Sequence, residues 1–147
     1  MAVLGTFLRV HQKLYEASRG AIGHRLIGVP TLLLRTTGRR TGRPRTAALV
    51  SARDEDGSPV VVASNGGADT APGWLHNVKA DDAIEGQIGL RHFAARAEVI
   101  DPEHADYRRL WQLVNRRSSG RYDRYQSRTD RPIELVRLQI RRPDETT

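Results

Sequence analysis

Cysteine is absent from the 147 residues. That excludes disulfides, thiolate metal sites and cysteine nucleophiles, but says little about compartment. No apolar run approaches the ~20 residues that span a bilayer. No repeat or low-complexity linker divides the chain. The first residues do not read as a secretory leader, because apolar positions alternate with Arg9, His11 and Lys13 and no small-residue cleavage site follows. These absences lead to the expectation of a single cytoplasmic domain over residues 1–147. Lysine is nearly missing as well, present only at Lys13 and Lys79, so the net charge of +7 comes from arginine. A GC-rich genome favours arginine over lysine; so does an anionic partner, because the guanidinium fork matches phosphate and carboxylate.

What remains is a chain of short elements. Leu4, Phe7, Leu8, His11, Leu14 and Tyr15 share one face at helical spacing, so residues 3–19 are expected to form an amphipathic helix stopped by Gly20. Six strands are expected over 31–37, 46–53, 59–64, 83–88, 92–100 and 133–140, separated by Gly- and Asp-rich turns. A short helix is expected over about 73–79. A second should run from a cap at Asp101 to about Arg117, with Leu110, Leu113 and Val114 as its stripe and Trp111 in the core. A polar, mobile loop carrying Tyr122 and Tyr125 should follow, and 141–147 reads as a polar tail. The pattern predicts an α+β fold, a small antiparallel β-barrel with flanking helices.

The turn after the first strand is the richest in chemistry. Gly38-Arg39-Arg40-Thr41-Gly42-Arg43-Pro44-Arg45 holds four arginines and two glycines. Glycines let backbone N–H groups approach an anion, and arginines add charge-assisted forks. The bland reading is a solvated basic hairpin. A nucleic-acid partner is not expected, since no helix-turn-helix signal or stacking platform accompanies the arginines. A second loop, Ala63-Ser64-Asn65-Gly66-Gly67-Ala68-Asp69, also ends a strand. Trp74 and Asn77 follow three residues apart, on one helical face; the bland reading makes them packing and helix-end groups. His24, His92 and His104 lack metal-ligand spacing, so no metal is expected. His11 reads as a packing residue, and His76 lies near the proposed site.

Three ordered stretches carry a resemblance: Leu-Leu-Leu-Arg-Thr-Thr-Gly-Arg-Arg-Thr-Gly-x-Pro-Arg, Val-Val-Ala-Ser-x-Gly-Gly-Ala-Asp, and Pro-x-Trp-x-x-Asn-x-x-Ala. With the later Tyr-x-x-Tyr-Gln-x-x-Thr-x-Arg at 122–131, the chain resembles the deazaflavin-dependent nitroreductases, also described as deazaflavin-dependent quinone reductases. The resemblance implies a split β-barrel that binds coenzyme F(420), an 8-hydroxy-5-deazaflavin with a phospholactyl oligoglutamate tail. It implies that Arg39, Arg40 and Arg45 hold the phosphate and acidic tail. It also implies that Ser64, Asn65, Gly66 and Gly67 line the cofactor and that Trp74 and Asn77 fix the adjoining helix. Asn65 stands where the family usually carries lysine. Ser64, Tyr122 and Tyr125 become the candidate catalytic residues, each able to donate a hydrogen bond to an apolar acceptor as it gains charge: a quinone, a nitroaromatic or an activated alkene. Two alternatives stay open at this point, an enzyme using flavin mononucleotide (FMN) on the same barrel and a non-catalytic binder of lipid or another anion. The N-terminal helix either covers the site or makes peripheral contact with a membrane.

Overall fold

A computed structural model of the chain describes residues 31–141. The expected helix over 3–19, His11, His24, and the tail beyond 141 lie outside the described residues. So does the surface proposed for membrane contact. No helix among the described residues is long and apolar enough to cross a membrane.

Seven antiparallel strands form one sheet: β1 (Thr31–Thr37), β2 (Pro44–Val50), β3 (Ala52–Arg53), β4 (Pro59–Val62), β5 (Ala83–Ile88), β6 (Arg91–Ile100) and β7 (Leu135–Ile140). Their order is β2-β1-β5-β6-β7-β4-β3. The two edges, β2 and β3, are separated in the chain by Ser51 alone. The expected strand 46–53 is therefore two strands, and there are seven rather than six. Its first part pairs with β1, Thr31 opposite Val50 and Thr37 opposite Pro44, and its second part pairs with β4. One segment thus serves both edges, which curls the sheet into a split barrel and leaves little free edge.

Alternation along the strands divides the apolar residues into two cores. Leu32, Leu34, Val61, Ala63, Val136 and Leu138 pack with Trp74, Leu75 and Val78 of helix α1 (Gly73–Ala80). Val60, Val62 and Leu135 point the other way, onto Leu110 and Val114 of α2 (Tyr107–Arg117) and Tyr122 of α3 (Arg121–Gln126).

Several expected boundaries move. Strand β4 stops at Val62 and β7 starts only at Leu135: beyond them a single backbone bond from the Ala63 amide to Glu134 O (2.9 Å) continues the pairing, and the Ile133 amide donates to the Gln126 side chain at 2.9 Å instead. Asp101 does not cap α2. Its carboxylate accepts from the Glu103 amide at 2.9 Å and its carbonyl from the His104 amide at 2.9 Å, closing a turn that delays the helix to Tyr107. The polar segment around the tyrosines is helix α3. Asn115, buried near the end of α2, accepts from the Asp123 amide at 2.9 Å, while Gly120 (φ 76°) supplies the left-handed corner. The expected mobile loop is accordingly a bonded turn. Trp111 is half-buried rather than core, stacked on Tyr107 at 5.7 Å with its indole N–H donating to Asp123.

A charged network ties the α2 side to the sheet. Arg137 on β7 pairs with Asp54 (3.1 Å), Glu98 (2.9 Å) and Asp106 (3.0 Å). Arg109 forks onto Asp54 from α2, and His104 reaches Glu98 at 3.2 Å. Arg109, and after it the Glu55 amide and Arg137, hold the Asp54 carboxyl at about 2 despite burial.

A candidate deazaflavin site

The β1–β2 hairpin turns through Gly42 (φ 71°), with the Gly42 amide on Gly38 O and the Gly38 amide on Arg43 O, both at 2.8 Å. Asn77 locks this turn to α1. Its side-chain oxygen accepts from the Arg39 amide at 3.1 Å, and its Nδ2 donates to Thr36 Oγ1 at 3.1 Å. Both ends of the buried amide are thereby satisfied. Asn77 thus holds the groove together from below.

The groove above it encloses about 390 Å³ between the hairpin and the first turn of α1, with Arg39, Arg40 and Arg45 on one wall and Gly73, Trp74 and Asn77 on the other. The first turn of α1 carries no acidic residue and its Leu75 amide is taken by Pro72 O, so the positive end of the helix dipole borders the groove at Gly73 and Trp74 without a carboxylate from its own first turn. None of the three arginines has a carboxylate partner among the described residues. Exposed guanidinium groups, a helix N-terminus and a glycine-bounded turn are chemistry that suits a multiply charged anion. His76 is exposed on α1 and does not line the groove.

The second loop lies at the end of β4. Ser64 is in the right-handed region, and Asn65 (φ 45°), Gly66 (φ 66°) and Gly67 (φ 83°) follow in the left-handed one. Asn65 is tied back through Nδ2 to Thr70 O at 3.0 Å. Gly67 does not offer an open face to a ligand. A Cβ there would sit 2.7 Å from Tyr125 O, so the loop and α3 are in backbone contact. Ser64 is 9% exposed, and its hydroxyl has no partner among the described residues. A buried, unbonded hydroxyl is costly unless a ligand completes it, and a ring with polar edges would do so.

The three candidate catalytic residues do not line one cavity. Tyr122 is buried and lines a separate, mainly apolar cleft of about 500 Å³ between the β2–β3 junction, β4 and the end of α2. Burial pushes its hydroxyl above the ordinary phenol range. Tyr125 sits between the two regions. Its ring meets Tyr122 edge-on at 6.0 Å, its backbone abuts Gly67, and the Arg128 guanidinium lies 5.5 Å above it.

Sequence reasoning missed Arg131. Its guanidinium donates to the carbonyls of Ala63, Ser64 and Ala68. Around it Thr129 Oγ1 donates to Asp69 at 2.7 Å, and Gln126 bonds Thr129 O, Arg131 O and the Ile133 amide. The Thr-x-Arg spacing was visible in the sequence, but not its carbonyl acceptors more than 60 positions earlier.

Comparison with known proteins places this arrangement. Residues 7–139 match the family described as F420H(2)-dependent quinone reductase. The chain is 48% identical over 132 residues to an F420H(2)-dependent quinone reductase of Mycobacterium tuberculosis, covering 89% of this chain and 88% of that one. Among solved structures it is similar to an F420-H2 dependent reductase, FDR-A, with TM-score 0.65 and 31% identity over 75% of this chain and 94% of that one. A Listeria innocua protein described as a pyridoxamine 5′-phosphate oxidase shares the fold alone, at 11% identity and TM-score 0.54 over 80% of this chain and 88% of that one. The FMN alternative finds no support in the family match. On the strength of that match and of the mycobacterial relative, the chain belongs to the F420H(2)-dependent quinone reductase family.

Proposed function

We propose that the chain binds coenzyme F(420) and reduces a quinone with it. The observation that carries this reading is the basic groove, whose three arginines, without a carboxylate partner among the described residues, and helix N-terminus suit a phosphate followed by glutamates. Arg39, Arg40 and Arg45 hold the tail. The Ser64–Gly66 loop borders the ring, and Trp74 and Asn77 fix the wall between the two. When bound, the reduced deazaflavin supplies a hydride, two electrons and one proton, and the quinone leaves as hydroquinone after taking one further proton from a tyrosine hydroxyl or water. Nitroaromatics and activated alkenes are further acceptors of the same hydride.

The chain's own contribution is position and electrostatics. The apolar cleft excludes water from a flat acceptor, and its Tyr122 hydroxyl stays protonated because it is buried. Tyr125, whose backbone abuts Gly67 and whose ring meets Tyr122 of the cleft, is the donor to the acceptor oxygen in this reading. Tyr125→Phe keeps the packing and removes the donor. Single-turnover oxidation of the reduced, bound cofactor by menadione should slow by about tenfold or more, roughly 1.4 kcal/mol, with cofactor affinity unchanged. Equal rates in the two proteins would strike Tyr125 from this role and leave Ser64 or water as the donor.

A further inference from the structure

Arg131 belongs to neither the basic groove nor the apolar cleft. Its three nitrogens nonetheless converge on one loop: Nε on Ala68 O at 3.3 Å, Nη1 on Ala63 O at 3.3 Å, and Nη2 on Ser64 O at 3.1 Å and Ala68 O at 3.0 Å. No carboxylate pairs with it among the described residues. The fork therefore does not serve an ion pair; its donors go to main-chain oxygens.

What it holds needs holding. Asn65, Gly66 and Gly67 all have positive φ, and Asn65 bears a side chain in that disfavoured region. The clamp, together with the Gly67 amide that donates to Ser64 O at 2.8 Å, also sets which way the peptides face. In a trans peptide the C=O and the following N–H point in opposite directions. With the carbonyls of Ala63 and Ser64 drawn onto Arg131, the amides of Ser64 and Asn65 face away from it. Neither amide has an acceptor among the described residues. The unbonded Ser64 hydroxyl is on the same residue.

We infer that Arg131 is the positioning residue for ring recognition: it turns the donor side of the Ser64–Gly66 loop toward the cofactor ring. This rests on the deazaflavin reading above. It adds a division of labour, in which Arg131 governs the ring and the hairpin arginines govern the tail.

The test separates ring from tail. Wild type, Arg131→Met, Arg131→Lys and Arg40→Ala are titrated with 8-hydroxy-5-deazariboflavin, which has no tail, by fluorescence. A phosphorylated γ-glutamyl peptide serves as the tail probe, and circular dichroism checks the fold. Arg131→Met should weaken the ring compound at least tenfold. Arg131→Lys should weaken it at least fivefold, because the three donors of an ammonium radiate from one nitrogen and do not span the carbonyls that the guanidinium reaches from three. Both should bind the tail probe within twofold of wild type, and Arg40→Ala should show the opposite pattern. A purely stabilising role would lower the melting temperature and leave the ring-to-tail ratio alone. Ring affinity within twofold of wild type in folded Arg131→Met, or in Arg131→Lys should the Met variant not fold, overturns the assignment. A wild type that binds neither probe overturns the deazaflavin reading itself, and the role of Arg131 with it.

Discussion

Replacing Arg40 and Arg45 together with alanine should weaken binding of coenzyme F(420) by two to four orders of magnitude. Each charge-assisted hydrogen bond is worth roughly 1.5–3 kcal/mol, so losing two costs about 3–6 kcal/mol. Both side chains are exposed and have no carboxylate partner among the described residues, so their loss should cost the fold little. Their guanidinium groups crowd one hairpin without a carboxylate, an arrangement that repels itself until an anion arrives. Two controls sharpen the expectation. Arg116→Ala, an exposed arginine on α2, should leave affinity within twofold. Wild-type affinity should fall with ionic strength, because the groove is open to solvent. A folded double variant that binds as wild type does would remove the hairpin from the site.

Arg137→Met should produce the largest loss of stability. One largely buried guanidinium answers Asp54, Glu98 and Asp106. Removing it leaves carboxylates facing one another, and breaking a buried pair costs about 3–5 kcal/mol. Since Glu98 and Asp106 are partly exposed, the lower end, about 3 kcal/mol, is expected, which lowers the melting temperature by roughly 10 °C in a domain of this size. The same network fixes the acid limit. The Asp54 carboxyl is held at about 2 rather than 3.8, so its folded form binds protons less readily than the unfolded chain. Its contribution, about 2 kcal/mol, is present above pH 4 and disappears as pH falls through 2. Asp54→Asn should be less stable than wild type at pH 6, with a difference that narrows toward pH 2. Melting curves from pH 6 to 2 would show it, and a constant difference would contradict the assignment.

Both predictions depend on groups that differ in how visible they are in the chain. The hairpin arginines and glycines are local: eight consecutive residues contain the whole wall, so spacing alone exposed them. Trp74 and Asn77 are also local, and a helical period put them on one face. Asp54 reads as the first residue of an Asp-Glu-Asp-Gly turn, which it is. Nothing local says that its carboxylate is buried beneath an arginine 83 positions later. Helix α3 escaped for a different reason. Arg-Tyr-Asp-Arg-Tyr-Gln has too few apolar residues to show a stripe, and it is helical because Asn115 and Gly120 set its start. The extra strand is a topological effect: an unbroken β pattern from 46 to 53 cannot reveal that Ser51 is where the pairing partner changes. Tyr122 and Tyr125 look equivalent in sequence, yet one lines a mainly apolar cleft and the other bridges to the glycine loop.

The most direct test of the central claim is a fluorescence titration of the full chain with coenzyme F(420), run beside the Arg40→Ala/Arg45→Ala variant and beside FMN. The account predicts saturable one-to-one binding to wild type, affinity lost by at least two orders of magnitude in the double variant, and no comparable binding of FMN. Wild type that fails to bind coenzyme F(420), or that prefers FMN, would contradict it.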